Sequence, residues 1–590
     1  MSFRQKIRNL KDCRDNTSIY DAYYNAPIDE RLVYFESRNG RDFTGNIFRL
    51  VEELSTGDYG DYRIYVYATE KVLAKVLEFK RNYNLKIDRV MTSPKDAAVA
   101  LEKAKYIFTD SGIQRKYVKR PEQVFVNTWH GTPLKNMGRD NVSEIPVIGY
   151  IQHSMLSADY LLYPNDYMCE KMMKAFMIEK IYPGKILLEG YPRNSIFFDK
   201  THSIELKKAL GLEDKEIFIY MPTFRGILSN RDDKKQRDDV ETYLSDIDMK
   251  LNDNQMLYVK LHAYNESQID FSKFTHIMPF PKGYEIYEIV NMGDVLITDY
   301  SSVFFDFANT SRKIVIFNYD EADYLSYRGV YFPLEDLPFP KVQDVDGLIR
   351  ELNSPKDYDD SKFIQKFCTY DNPDAAKNIC RLVFRGENVS KQCEVSNDNP
   401  NILIYAGDLQ DGDVTDQLIG LLENADRKRN NFFITFKPGD VNIKENYKRI
   451  VDRFPDGVEF LPFRSDLIPT VKEKMDYNRY LHENGKVEFP RPLNCLFKRS
   501  FKKQYGMVDF CFVLDFYGLD ANVALTFAKS GVDSILWLHK NNVNNTKLGE
   551  NILKDIYSSF DLIVVDSTDI AEKVLKITQN SAKVEVFRFD

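Results

Sequence analysis

Long apolar segments are absent from this chain of 590 residues, and so are the common cysteine patterns. No apolar run approaches the roughly 18–20 residues that a membrane-spanning helix needs. The amino-terminal stretch has basic residues but no apolar core, which excludes a secretory signal peptide. The seven cysteines are scattered and form no CxxC pair, so they indicate neither a disulfide framework nor a zinc site. We therefore expect the protein to work in a reducing cytosol.

An excess of positive charge and the common catalytic motifs are also absent. The net charge of -8 argues against a broadly basic nucleic-acid-binding surface, although a local basic patch against an anionic membrane or substrate is still possible. The chain has no Walker motif, no GxGxxG after the early strands, no GxSxG and no DxD between strands. We accordingly predict no metal site, no cofactor and no nucleic-acid partner.

Apolar runs typical of buried strands alternate with amphipathic helical patterns along the whole chain. "RLVYFES" is followed by "TGNIFRLVEEL", and the same alternation restarts near residues 196 and 401. It predicts α/β units in which helices cover both faces of a parallel sheet. We predict an extension at 1–29, domains at 30–195 and 196–385, a polar linker at 386–400, and a third Rossmann-like domain at 401–590. Because the chain stops on an apparent strand, "KVEVFRFD", we expect the third domain to be part of a longer unit.

The segment "NTWHGTPLKNMG", residues 127–138, follows one of the predicted strands of the first domain. In parallel sheets, ligands bind at the carboxyl ends of the strands. A histidine held there beside glycine is accessible to a substrate, and neutral imidazole can accept a proton. The alternative for His130 is a structural histidine that is hydrogen-bonded beside a packed tryptophan.

Two further groups follow predicted strands of the second domain. In "ITDYSSVFFDF", Ser301 and Ser302 stand where a helix would begin, and a helix start can bind phosphate. Arg225 in "MPTFRG" and His262 in "VKLHAY" each follow another strand of that domain. Together these groups would suit a pyrophosphate. Individually, each is more often explained as a helix cap, a surface arginine or a structural histidine; their shared position at the strand ends favours a site.

These segments, with "GYPRNSIFF" and "YRGVY", resemble the CDP-glycerol glycerophosphotransferase family, the polymerases and primases of teichoic acid and capsule polymers. The resemblance covers roughly residues 30–385 and extends to the order and approximate spacing of the motifs. It implies a GT-B fold, in which two Rossmann-like domains face each other across a cleft and the second binds the nucleotide. Residues 401–590 resemble instead the first half of another GT-B glycosyltransferase.

The resemblance also implies a reaction. An acceptor hydroxyl attacks the β-phosphorus of a CDP-polyol, CMP leaves, and the polyol phosphate joins a phosphodiester-linked polymer. His130 resembles the general base and His262 the group that contacts the donor phosphates. The implied donor-binding residues are Arg225, Thr298, Asp299, Ser301, Ser302 and, as a weaker candidate, Arg328. The implied supporting residues are Trp129, Gly131, Thr132, Lys135 and Arg193.

The implied partners are CDP-glycerol or CDP-ribitol as donor and a lipid-linked polymer as acceptor. They place the protein in the cytoplasm, on the inner face of the cell membrane. Three alternatives remain at this point: a GT-B sugar transferase, a bifunctional phosphotransferase and glycosyltransferase, and a non-enzymatic scaffold with a decayed site. The sequence does not choose between glycerol and ribitol, between primer and polymerase, between wall teichoic acid and capsule, or among oligomeric states.

Overall fold

The structure is a computed structural model that describes residues 26–587 apart from 115, 142–143, 224–232, 262–268, 320–328, 396, 439–443, 464–466, 468, 519 and 541–547. The strands within these ranges are β1 Asp29–Glu36, β2 Arg63–Tyr67, β3 Arg89–Met91, β4 Ala104–Thr109, β5 Val124–Asn127, β6 Tyr160–Tyr163, β7 Lys185–Leu188, β8 Glu216–Met221, β9 Gln255–Val259, β10 Ile277–Pro279, β11 Val295–Thr298, β12 Lys313–Phe317, β13 Lys341–Val342, β14 Lys391–Glu394, β15 Asn401–Tyr405, β16 Asn431–Thr435, β17 Glu459–Phe460, β18 Phe512–Asp515, β19 Asp533–Leu538, β20 Leu562–Val565 and β21 Val584–Val586.

The α-helices alternate with these strands. They are α1 Gly45–Thr56, α2 Glu70–Asn82, α3 Pro94–Lys103, α4 Gly149–Ser157, α5 Asp166–Ala175, α6 Lys200–Ala209, α7 Asp233–Lys250, α8 Ile286–Met292, α9 Val303–Phe307, α10 Val345–Leu352, α11 Ser361–Phe367, α12 Ala375–Arg385, α13 Asp413–Glu423, α14 Lys444–Val451, α15 Val471–His482, α16 Pro492–Tyr505, α17 Ala521–Ala528, α18 Glu550–Tyr557 and α19 Thr568–Thr578. A 3-10 helix, Pro192–Phe198, precedes α6.

Three sheets organise the chain. The first has the order β14-β7-β6-β5-β4-β1-β2-β3, the second β10-β9-β8-β11-β12-β13, and the third β17-β16-β15-β18-β19-β20-β21. All neighbouring strands are parallel except β14, which pairs antiparallel with β7. In each sheet the first three strands run in order toward one edge, and the fourth strand lies on the other side of the first and starts the second half. This is the doubly wound order of Rossmann folds. The prediction of three Rossmann-like α/β units is confirmed.

The strands form because buried parallel strands are nearly continuous apolar runs. In β12, for example, all five residues are buried. The apolar core of the first sheet is continuous with that of the third, whereas the second sheet has a separate apolar cluster on each face. Arg139 of the first domain pairs with Glu459 of the third at 3.1 Å, next to this shared core. The third domain therefore packs against the first as part of one body.

The segment 386–400, predicted as a linker, contains the edge strand β14 of the first sheet. The preceding helix α12 also packs on the first domain, where the ring of Phe384 lies 4.7 Å from that of Tyr106. The chain thus returns from the second domain and adds a helix and a strand to the first. Within the residues that the structure describes, no helix is both long enough and apolar enough to cross a membrane.

Candidate functional site between the first two domains

The loop after β5 has an unusual backbone at Trp129. Its φ of 50° is in the left-handed region, which bulky residues seldom occupy. The Trp129 amide donates to the Asn127 side chain at 2.9 Å, and its carbonyl accepts from the Asn46 side chain at 3.2 Å. The buried indole stacks on the His130 ring, with 4.7 Å between ring centroids. These contacts hold His130 at the carboxyl end of the first sheet.

The hydrogen bonds of His130 determine which ring nitrogen is protonated. Its Nδ1 lies 2.6 Å from the carbonyl oxygen of Asp110, and a carbonyl only accepts, so Nδ1 carries the proton. Burial lowers the pKa of His130 below its ordinary value, and the positive charge of Arg38 acts in the same direction. The imidazole is therefore neutral near pH 7, with the lone pair of Nε2 available to accept a proton.

Buried acids lie behind His130. The Asp110 carboxylate accepts from the Ser37 hydroxyl at 2.6 Å and from the Arg38 amide at 2.7 Å, both in the turn after β1. The adjacent Glu36 is buried and accepts from the Tyr34 hydroxyl. Burial raises the pKa of Glu36 to about 7. These contacts tie the ends of β1 and β4 together beneath the histidine.

Glu36→Gln is expected to change how stability depends on pH. Because the pKa of Glu36 is about 7 in the fold and ordinarily 4.5, the folded state binds the proton of this carboxyl more tightly than the unfolded chain does between those limits. The stability that this proton contributes is complete below pH 4.5 and is lost as the pH rises to about 7. The variant has no such carboxyl, so its free energy of unfolding should not show this decrease. By pH 8 it should exceed that of the unmodified chain by an amount on the order of 3 kcal/mol more than it does below pH 4.5. Urea titrations across this pH range measure the free energy of unfolding, with Glu205→Gln, at an exposed position, as control. If the unfolding free energies of Glu36→Gln and the unmodified chain depend on pH in the same way, the pKa of Glu36 is not raised.

The two domains meet at Gly131. A Cβ built on this glycine would lie 2.6 Å from the Ser302 hydroxyl oxygen and 3.3 Å from the Ser302 Cβ. Ser302 follows β11 in the second domain and immediately precedes α9. The histidine loop and Ser302 of the "TDYSS" segment therefore meet between the first two sheets, and glycine at position 131 permits the close approach.

Gly131→Ala is expected to reduce turnover by about 10²-fold, because an added methyl group would push the histidine loop away from Ser302 and an error of about 1 Å can have that effect. Steady-state turnover in the reaction that the resemblance implies measures it. Gly420→Ala, in α13 with open space around the new Cβ, is the matched control and should retain normal turnover. Normal turnover of Gly131→Ala would show that the close contact between Gly131 and Ser302 is not needed for the reaction.

Arg193, predicted as a supporting residue, connects the two sides of the site. Its guanidinium donates to the His130 carbonyl oxygen at 2.9 Å and to the carboxylate of Asp306, in α9, at 2.8 Å. Both charged side chains are buried, at 5% and 4% exposure. The guanidinium also lies over the rings of Tyr191 and Tyr287, 4.6 Å and 5.0 Å from their centroids. A buried bidentate pair of this kind fixes the orientation of both partners.

The predicted donor-binding residues at the end of β11 have two different environments. Thr298 and Asp299 are fully buried: the Thr298 hydroxyl donates to the Met221 carbonyl oxygen at 2.7 Å, and the Asp299 carboxylate accepts from the Thr223 amide at 2.8 Å. They join β8 to β11. Ser301 and Ser302 are half-buried, and α9 behind them is only five residues long. Only the two serines are placed to meet a ligand.

Three predicted residues, Arg225, His262 and Arg328, lie outside the described residues. Their roles stay predictions. The described residues just before Arg225 and His262 follow β8 and β9, two neighbouring strands of the second sheet.

Thr132 and Lys135 follow the histidine loop. The Thr132 hydroxyl oxygen accepts from Asn165 at 3.1 Å, which anchors the loop to α5. Lys135 pairs through its backbone with Val330 of the second domain. The Tyr331 amide also donates to the Leu134 carbonyl oxygen at 2.8 Å. The loop is thus joined to the second domain on this side.

On the other side of the gap the domains are joined by a buried charged group. Arg49 of α1 pairs with Glu288 of α8 at 3.3 Å, and Tyr83 also donates to Glu288. The Gly45 amide donates to Glu285 at 2.9 Å. The two lobes are therefore held in a closed arrangement with His130 and Ser302 between these contacts.

Sequence reasoning missed Glu36, Asp110 and Asp306. Each is an acid next to or inside an apolar run, and such a position is the one available signal. Within the described part of the chain, no group of three or more His, Cys, Asp or Glu side chains is arranged to hold a metal ion.

Comparison with known proteins places the chain among polymer-forming transferases. The family model described as CDP-Glycerol:Poly(glycerophosphate) glycerophosphotransferase matches residues 18–385. A teichoic acid poly(glycerol phosphate) polymerase of Bacillus spizizenii is 29% identical over 380 residues, which are 60% of this chain and 92% of the relative. A teichoic acid glycerol-phosphate transferase of Staphylococcus aureus is 27% identical over 60% of this chain and 93% of its own.

A solved structure of the wall teichoic acid polymerase TagF is similar in fold. It superposes with a TM-score of 0.53 at 24% identity and covers 65% of this chain and 97% of its own. The expected arrangement of two facing Rossmann-like domains is confirmed by this likeness.

Proposed function

Because the chain belongs to the CDP-glycerol:poly(glycerophosphate) glycerophosphotransferase family, we propose that it transfers glycerol phosphate from CDP-glycerol to the hydroxyl end of a growing teichoic-acid-type polymer. The enzyme class and the transfer of polyol phosphate follow from the family and from the named relatives. The choice of glycerol over ribitol, a lipid-linked acceptor and attachment to the inner membrane surface are parts of the proposal.

The close approach of Gly131, the residue next to His130, to Ser302 supports this reaction. The acceptor hydroxyl gives its proton to Nε2 of His130 as its oxygen attacks the β-phosphorus of the donor. A new bond forms between that oxygen and phosphorus, and the bond from the β-phosphorus to the bridging oxygen breaks. CMP leaves with the bridging oxygen. His130 later releases the proton to solvent, which regenerates the neutral imidazole. No covalent intermediate forms.

Transfer of this kind depends mainly on positioning and on neutralising the phosphate charge. In the proposed site Ser301 and Ser302 donate hydrogen bonds to the pyrophosphate, and Arg225, His262 and Arg328 add cationic or polar contacts. Arg193 is committed to Asp306 and to the His130 carbonyl oxygen, so it orients the histidine loop and does not bind the donor. Asp299 and Thr298 hold the strand ends from which the donor-binding turns project.

The function is tested by supplying CDP-glycerol and CDP-ribitol separately with a lipid-linked primer. The expected result is CMP release and a lengthened product with CDP-glycerol, and much less of both with CDP-ribitol. A parallel incubation with nucleotide sugars tests the sugar-transferase alternative. Release of a nucleoside diphosphate from a nucleotide sugar, without CMP from either CDP-polyol, would overturn the proposal.

A further inference from the structure

The third domain lies outside the part of the chain that the family model matches, yet its sheet has the same winding as the other two. Its first strand, β15, lies beside its fourth, β18, and Tyr405 pairs with Asp515 at their carboxyl ends. The loops that leave these two strands run to opposite faces of the sheet. In doubly wound sheets the crevice between such loops is the usual place for a ligand.

All three sheets have a buried aspartate at the end of the fourth strand: Asp110 after β4, Asp299 after β11, and Asp515 as the last residue of β18. In the first two sheets, the loop after the first strand donates to this aspartate. Ser37 and Arg38 donate to Asp110, and the Thr223 amide donates to Asp299. In these two sheets, hydrogen bonds from the neighbouring loop of the same domain therefore already satisfy the carboxylate.

Asp515 differs from the other two. Its Oδ1 accepts from the Gly518 amide, in its own loop, at 2.8 Å. Its Oδ2 is buried and, among the described residues, has no hydrogen-bond partner. Burial raises the pKa of Asp515 to about 7. A buried polar atom without a partner needs an explanation, and a bound ligand is a common one.

The groups around Asp515 define the kind of ligand. Gly407, with a φ of 69°, turns the chain after β15, and the Tyr517 ring lies so close over this turn that a Cβ at Gly407 would be 2.4 Å from it. The ring of Tyr405 packs edge-on against Tyr517, with 6.0 Å between centroids. An aromatic side chain beside a carboxylate is well suited to the apolar face and the hydroxyl groups of a sugar.

The charge at this crevice argues against a phosphate. The nearby cation Lys437 is paired with Asp520, and the negative charges of both Asp520 and Asp408 act on Tyr517. An anion would meet an excess of carboxylate. A neutral ligand with hydroxyl groups can donate to Asp515 and also accept from the Lys437 ammonium group.

We propose that the crevice between β15 and β18 of the third domain is a binding site for neutral saccharide units, with Asp515 accepting a sugar hydroxyl and Tyr517 packing on the ring. The site is separate from the phosphotransfer site and does not depend on the transfer reaction. A saccharide-binding site on the same chain would let the enzyme hold a sugar-bearing part of its acceptor.

The test is saturation-transfer NMR of the full chain with maltose and with N-acetylglucosamine, and with glycerol 3-phosphate as the anionic comparison. Asp515→Asn keeps the side-chain volume and Tyr517→Ala removes the ring. The matched control is Asp533→Asn, an exposed aspartate at the amino-terminal end of β19, at the other end of the strands from Asp515. Thermal unfolding of each variant shows whether it is folded.

We expect saturable binding of at least one sugar, weakened about tenfold in folded Asp515→Asn and Tyr517→Ala and unchanged in Asp533→Asn. The proposal is overturned if neither sugar gives saturable binding, or if both site variants bind as the unmodified chain does. It is also overturned if glycerol 3-phosphate binds and Asp515→Asn abolishes that binding. CMP release from CDP-glycerol, measured on the same samples, reports separately on the phosphotransfer site.

Discussion

His130→Ala is expected to lower kcat by about 10²–10⁴-fold and to leave the affinity for CDP-glycerol within a few-fold of the unmodified chain. The substitution removes the only group proposed to take the proton of the acceptor hydroxyl. It leaves Ser301 and Ser302 in the second domain, where the donor phosphates are proposed to bind. The Asp110 carbonyl loses one hydrogen bond, which is a small change for the fold.

Steady-state CMP release and equilibrium binding of CDP-glycerol measure the two quantities separately. His482→Ala, an exposed position at the end of α15, is the matched control and should match the unmodified chain in both. Ser302→Ala should instead weaken donor binding as well as turnover. If His130→Ala loses donor affinity and turnover together, the histidine is a binding group and the assignment as base is wrong.

Asp306→Asn is expected to destabilise the protein by about 3–5 kcal/mol, because it leaves the buried Arg193 charge without its counterion. The exposed pair of Lys174 and Glu170 has a similar contact distance of 3.0 Å, with both side chains 56% exposed. Glu170→Gln is therefore the matched control and should cost at most about 1 kcal/mol. Urea titration measures both variants, and equal small losses would contradict the importance of the buried pair.

A double variant separates the two roles of Arg193. Replacing Arg193 by Met and Asp306 by Leu removes both charges and keeps similar volumes, so much of the stability should return. The bond from Arg193 to the His130 carbonyl oxygen does not return, so turnover should stay low. Turnover that recovers with stability would show that Arg193 acts on the fold alone and does not position the histidine loop.

Much of the fold could be predicted from local patterns. Strands such as β12 are short and apolar after the first residue, Lys313, and helices such as α12 have a clear apolar face. Their alternation identifies parallel α/β sheets without further information. The residues that follow the strands were predicted for the same reason. A parallel sheet brings the carboxyl ends of its strands to one edge, so polar residues there become site candidates.

The remaining contacts depend on pairs that are distant in the sequence. Arg193 and Asp306 are separated by 113 positions, and nothing in the local pattern around either one identifies the other. Strand β14 is polar and lies at a sheet edge, where the apolar signal of a buried strand is missing. The contact of Asp110 with His130 could not be predicted from the sequence, because the Asp110 carbonyl, and not its side chain, makes it. A backbone carbonyl is present at every position, so residue type does not show which one makes such a contact.

The meeting of the two lobes at Gly131 and Ser302 can be tested by joining them. A Cβ at position 131 would lie 3.3 Å from the Ser302 Cβ, close to the roughly 3.5–4.5 Å found in disulfides. In a chain with Gly131→Cys and Ser302→Cys, peptide mass spectrometry after mild oxidation should detect this disulfide, and neither single variant should form it. Such a crosslink means that the histidine loop and the donor turn face each other in solution. If the double variant is folded and remains uncrosslinked under the same oxidation, the two lobes do not form one site.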